Sequence, residues 1–215
     1  MADAPQSQAQ EPRRTSAVRI IIIGAVLGLA ALFAMLILRP GFFYACIHPE
    51  MAANETAAAA TCKAYAEAQE IYHRTDRDKN GVLEYAQSLK GDRSLFESKA
   101  GLGDLNLIDK VFADAEGPPS GSFSLITGYC FKVLKAQGKN AKGGAMSYIP
   151  EGSKCMTLGH ALVAYPAVWD STGRKCFMIS KDGAVWQANL GPKTPEIVEK
   201  MTEFDPDPKV WAPAD

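Results

Sequence analysis

The side chains best spaced to do chemistry lie in Asp76-Arg-Asp78-Lys-Asn80-Gly81-Val-Leu-Glu84. Oxygen-bearing residues at alternate positions, followed by a glycine that can turn sharply, are what a calcium loop requires. On that reading Asp76, Asp78 and Asn80 supply side-chain oxygens and Val82 a backbone carbonyl, while Leu83 points into the core. Gln87 stands at the last position, where calcium loops carry a bidentate Glu, so Glu84 or Asp92 would complete the set. The expected cofactor is Ca²⁺. Asp, Asn and Gly also build ordinary turns, and a plain polar loop is the competing reading.

Sulfur and imidazole come next. Five cysteines, Cys46, Cys62, Cys130, Cys155 and Cys176, leave one without an intramolecular partner. In an oxidising compartment Cys62, Cys130, Cys155 and Cys176 are the disulfide candidates, with Cys130–Cys155 the expected pair and buried free thiols the alternative. No C-x-x-C occurs, so neither thioredoxin chemistry nor a zinc ribbon is supported. His48, His73 and His160 are scattered and make no metal-binding pair. A periplasmic enzyme would draw its nucleophile and base from Cys155 and His160, and a structural histidine is the simpler reading. No Gly-x-Ser-x-Gly elbow, P-loop or dinucleotide fingerprint is present. No catalytic residue is assigned, and a non-enzymatic role is expected.

These residues need a scaffold, and the composition supplies one: 47% hydrophobic, 22% charged, with 23 basic residues against 24 acidic. That balance excludes a disordered chain and a polyanion binder working through bulk charge, so no nucleic-acid partner is expected. The hydrophobicity is unevenly placed. Ile20–Leu38 contains no charged or polar side chain, and its 19 residues would span roughly 28 Å as a helix. Arg13, Arg14 and Arg19 precede it and only Arg39 closely follows, which puts the N-terminus in the cytoplasm. A cleaved signal peptide would have a shorter apolar stretch and a small-residue cleavage site, unlike Arg39-Pro-Gly-Phe-Phe43. The expected organisation is a disordered cytoplasmic tail at 1–17, a transmembrane helix at 18–39 in a bacterial inner membrane, and a juxtamembrane linker at 40–50. An extracytoplasmic, periplasmic domain follows at 51–215. The expected partners are the lipid bilayer, through Ile20–Leu38, and membrane or envelope proteins; Gly24 and Gly28 offer a small face to another membrane helix.

Within the domain, Asn54-Glu55-Thr56 is expected to open a helix, with Asn54 as N-cap. Ala58, Cys62, Tyr65 and Tyr72 then share one face. Gly117-Pro-Pro-Ser-Gly121 reads as a linker. Beyond it the period shifts to two: Tyr129, Phe131 and Val133 alternate with Cys130, Lys132 and Leu134. Strands are also expected at Met146–Ile149, Ala161–Tyr165, Lys175–Ser180 and Ala184–Ala188, and a short helix at Pro195–Met201. Short turns between successive strands predict an antiparallel meander. The fold class is α+β, a long helix packed on an antiparallel sheet.

Asn54-Glu-Thr-Ala-Ala…Tyr65-Ala-Glu-Ala-Gln69-Glu-Ile-Tyr72, after an apolar segment, resembles the helix of type IV pilins and type II secretion pseudopilins. Ala68, Gln69 and Tyr72 are the familiar part. Downstream, Gly128-Tyr129, Gln137-Gly138, Gly143-Gly144-Ala145, Ala161-Leu-Val-Ala-Tyr-Pro166, Gly173, Phe177, Asp182-Gly183, Leu190-Gly191 and Phe204-Asp-Pro-Asp207 follow in order. They resemble a family of bacterial envelope proteins known as a domain of unknown function. The resemblance implies a pilin-like α+β fold; the expected role is structural or in assembly, and the alternative is an accessory subunit of a larger membrane complex held through the Gly24 and Gly28 face. Ser16–Ile20 carries neither the processing Gly of pilins nor, further in, their Glu, so what is implied is the fold and not a pilus subunit.

Overall fold

The computed structural model describes residues 48–76, 80–97, 106–118 and 128–214, together with Gly28. The expected tail at 1–17, the rest of the membrane segment at 18–39 and most of the linker at 40–50 lie outside the described residues. Among the described residues no helix is long and apolar enough to cross a membrane.

The chain enters the domain through α1 (Pro49–His73). Pro49 opens it, because a proline at the first helical turn needs no donor and already has the right φ. The N-cap is therefore His48, not the expected Asn54, which lies inside the helix and donates its side-chain amide to the Thr172 carbonyl at 2.9 Å. Alanines at 57–60 favour the helix intrinsically. Among its buried positions, Met51, Glu55, Ala58, Cys62, Tyr65, Gln69 and Tyr72 alternate steps of four and three, with Ala68 buried beside them. The expected face is there, with two polar residues added to it.

β1 (Ser88–Lys90) and β2 (Ser94–Phe96) follow as a parallel pair. Then comes α2 (Lys110–Asp114), capped by Asp109, whose side chain accepts from the Phe112 amide at 2.8 Å. The rest of the chain runs through β3 (Tyr129–Leu134), β4 (Ala136–Gln137), β5 (Met146–Ser147), β6 (Ala161–Pro166), β7 (Cys176–Ser180), β8 (Val185–Ala188), α3 (Thr194–Lys200) and β9 (Ala212–Pro213). The main sheet has the order β3-β6-β7-β8-β9 and is antiparallel throughout. The expected meander holds from β6 to β8. β3 pairs with β6 instead of its successor, because β4 and β5 fold off as a ribbon of their own.

Alternation along the strands feeds two cores. Tyr129, Phe131, Val133, Leu162, Ala164, Phe177 and Ile179 pack toward α1. Cys130, Leu134, Ala161, Val163, Tyr165, Cys176 and Met178 pack the other way, with Tyr148, Met156, Val198, Phe204 and Trp211 over them. Both sheet faces are thus covered. The β3 edge is covered too: the Phe131 amide donates to Ala115 O, and Phe131 O accepts from the Gly117 amide, each at 2.9 Å. Gly117, at the start of the expected linker, is therefore part of the body.

Candidate functional site

The residues expected to bind calcium divide into two groups. Asp76 closes its loop: Oδ1 accepts from the Asn80 amide at 3.0 Å and Oδ2 from the Gly81 amide at 2.8 Å, while Asn80 Oδ1 accepts from the Val82 amide at 2.7 Å. Gly81 takes φ +80°, a conformation costly for any residue with a Cβ. Glu84 and Gln87 are drawn elsewhere. Glu84 is buried with Oε2 3.7 Å from Arg93 Nη1, and Gln87 Nε2 donates to Lys154 O at 2.6 Å. Leu83, expected in the core, is 50% exposed, and Tyr85 two residues on is buried. Asp78 lies outside the described residues. Among the described residues no three His, Cys, Asp or Glu side chains gather so as to hold a metal ion.

Beside this loop the fold assembles an aromatic and polar cluster. His73, at the end of α1, stacks on Tyr85 with ring centres 4.2 Å apart and planes within 10°. Tyr85 also packs on His160 at 4.9 Å, and Tyr65 meets His160 edge-on at 5.5 Å. The Tyr85 hydroxyl lies 3.5 Å from Glu70 Oε1, and that oxygen lies 3.9 Å from His160 Nε2. Neither ring nitrogen of His160 has a hydrogen-bond partner. Burial first, then the charges of Lys181 and His73, push its imidazole down to about 3, so it is neutral at physiological pH. Gln69 braces the cluster: Nε2 donates to the Tyr65 hydroxyl at 2.9 Å and to Ala86 O at 2.8 Å, and Oε1 accepts from the Ala86 amide at 2.8 Å. Helical spacing signals that Tyr65, Gln69 and Tyr72 share a face. Nothing local signals that Tyr85 and His160 will meet them.

The cysteines lie apart from this cluster's hydrogen bonds. Cys155 Sγ lies 3.9 Å from Arg93 Nη1 and makes no hydrogen bond to His160. Cys62, Cys130 and Cys176 are buried free thiols. Cys62 sits in the core under α1, and Cys130 and Cys176 sit across the sheet. Burial raises Cys62 and Cys176 to about 12 and Cys130 to about 11, far from the thiolate range. Of the pair expected to bridge, Cys130 packs inward beside Tyr165 and Cys155 lies near Arg93. Cys46 lies outside the described residues.

No curated protein and no solved structure matches the chain. A family model described as "Protein of unknown function (DUF2950)" matches residues 48–213, from the N-cap of α1 to the end of β9. Both cores and the His160 cluster fall inside that match, and the chain belongs to the DUF2950 family of proteins of unknown function.

Proposed function

We propose that this member of the family is a single-pass, membrane-anchored envelope protein of the bacterial inner membrane, with a periplasmic domain and a non-enzymatic structural or assembly role. The observation that carries this reading is that three carboxylates, Glu55, Glu116 and Asp205, each tie a distant loop to the body through backbone groups. Glu55 Oε1 accepts from the Arg174 and Lys175 amides at 3.0 and 3.3 Å, and Glu116 Oε2 from the Leu89 and Lys90 amides at 2.7 and 3.2 Å. Asp205 Oδ1 accepts from the Asn140 amide at 2.8 Å. Bonds to charged acceptors contribute about 1.5–3 kcal/mol each. They brace a body suited to presenting surfaces. The apolar run Ile20–Leu38 and the aromatic Phe42-Phe43-Tyr44 after it support membrane attachment. Support for a pilin-like arrangement comes from α1, which lays Ala68, Gln69 and Tyr72 against the rest of the domain. Native mass spectrometry of the full chain after mild detergent extraction tests the role. A co-purifying membrane or envelope protein is expected, and a bare monomer would overturn both the assembly role and the accessory-subunit version of it.

The Asp76–Gln87 loop is proposed in addition to take Ca²⁺, through Asp76, Asp78, Asn80 and the Val82 carbonyl. Its support is the turn around Asp76, whose carboxylate accepts from the Asn80 and Gly81 amides while Asn80 Oδ1 accepts from the Val82 amide. With a Kd on the order of 0.1 mM, about 2 mM Ca²⁺ would stabilise the fold by roughly 1.8 kcal/mol. The thermal midpoint is expected to rise with Ca²⁺ relative to EDTA, and the rise to vanish in Asp76→Ala. A midpoint indifferent to Ca²⁺ would remove this part of the reading.

A further inference from the structure

A cleft of about 160 Å³ opens between the β4–β5 ribbon and the turn after β7. The space is large enough for several water molecules. Its floor is constrained from three sides. Tyr148 is buried and donates its hydroxyl to Gln137 Oε1 at 3.2 Å. Gln137 Nε2 donates to Lys142 O at 2.9 Å and Gly144 O at 2.7 Å, which fastens the loop that carries Lys142. Gly159 lies so close beneath that a Cβ there would come 2.8 Å from the Tyr148 ring.

The rim carries charges of both signs. Asp182 Oδ1 accepts from Ser180 Oγ at 3.0 Å and from the Ala184 amide at 3.2 Å, which orients the carboxylate and leaves Oδ2 without a hydrogen bond among the described residues. Lys142 makes no ion pair among the described residues. Lys181 donates Nζ to Leu158 O at 3.3 Å, and the Leu158 side chain is 43% exposed beside it. An oriented carboxylate, two ammonium groups and an apolar wall surround a space of a few atoms.

We propose that this cleft binds a small zwitterionic α-amino acid of about the size of alanine. Its ammonium meets Asp182, its carboxylate meets Lys142 and Lys181, and its side chain lies against Leu158. The charge count supports a zwitterion over a simple amine or anion, because each end of the ligand finds an opposite charge and neither end alone uses the whole rim.

The test is an NMR or calorimetric titration of the full chain in detergent micelles with alanine, using acetate and ethylamine as single-charge controls. Alanine is expected to bind about tenfold more tightly than either control, and Asp182→Asn and Lys142→Met each to weaken it about tenfold. Lys142 is exposed, so Lys142→Met carries the test even if Asp182→Asn loosens its turn. Absence of alanine binding to the folded chain overturns the proposal. So does acetate binding as tightly as alanine, or alanine binding that Lys142→Met leaves unchanged.

Discussion

His160 is held by shape and not by bonds, and this sets how the protein responds to acid. The unfolded chain protonates it near 6.5, and the folded chain only near 3, because a charged imidazole would sit buried between Tyr65 and Tyr85. Between those values the unfolded state holds the extra proton. Stability from this group is therefore complete above about 6.5 and is lost as the pH falls toward 3, at up to about 1.4 kcal/mol per pH unit. Glu70, 3.9 Å away and partly exposed, offers one compensating charge, but Lys181 and His73 oppose it. Urea midpoints of the full chain are expected to drop steadily between neutral pH and about pH 4. In His160→Phe that decline should flatten; an unchanged slope would mean that a different group governs it.

At the scale of elements, α1 is the brace and Gln69 its most connected residue. The Gln69 amide satisfies both backbone groups of Ala86, in a loop that has no regular secondary structure to do so. Gln69→Leu keeps the volume and leaves that pair buried without partners. A loss of about 2–4 kcal/mol is expected, with faster hydrogen exchange at the Ala86 amide and unchanged helicity of α1. Exchange mass spectrometry checks both together. The same helix shows what local pattern can and cannot reveal. Ala58, Cys62, Tyr65 and Tyr72 were readable as a face because a period of 3.6 concerns near neighbours only. The start of α1 at Pro49, and the use of Asn54 and Glu55 as clamps on residues 172–175, were not readable: the partners lie more than a hundred positions away.

For the whole molecule, one sheet shared by two cores makes the described domain a cooperative unit. Cys62 reports on one core, Cys130 and Cys176 on the other. Alkylation of the native chain near neutral pH is expected to spare all three, because their thiols are buried and raised to about 11 or 12. With unfolding they should become reactive together, not one core before the other. Peptide mapping after graded urea checks this, and non-reducing mapping of the same samples would expose any disulfide among them.

From the residues alone came the length of the apolar run Ile20–Leu38, the buried face of α1, the alternation in β3 and the turns that separate β6, β7 and β8. All of these depend on neighbours a few positions apart, where the chain's own geometry imposes the period. Packing alone decided that β3 pairs with β6, that both faces of the sheet are covered and that Leu83 stays outside while Tyr85 goes in. It also decided that His160 lies among rings and apart from Cys155, and that Lys142 and Asp182 border one cleft. Those meetings join residues distant in the chain, and their free energy comes from area buried and bonds satisfied only once the whole sheet is assembled.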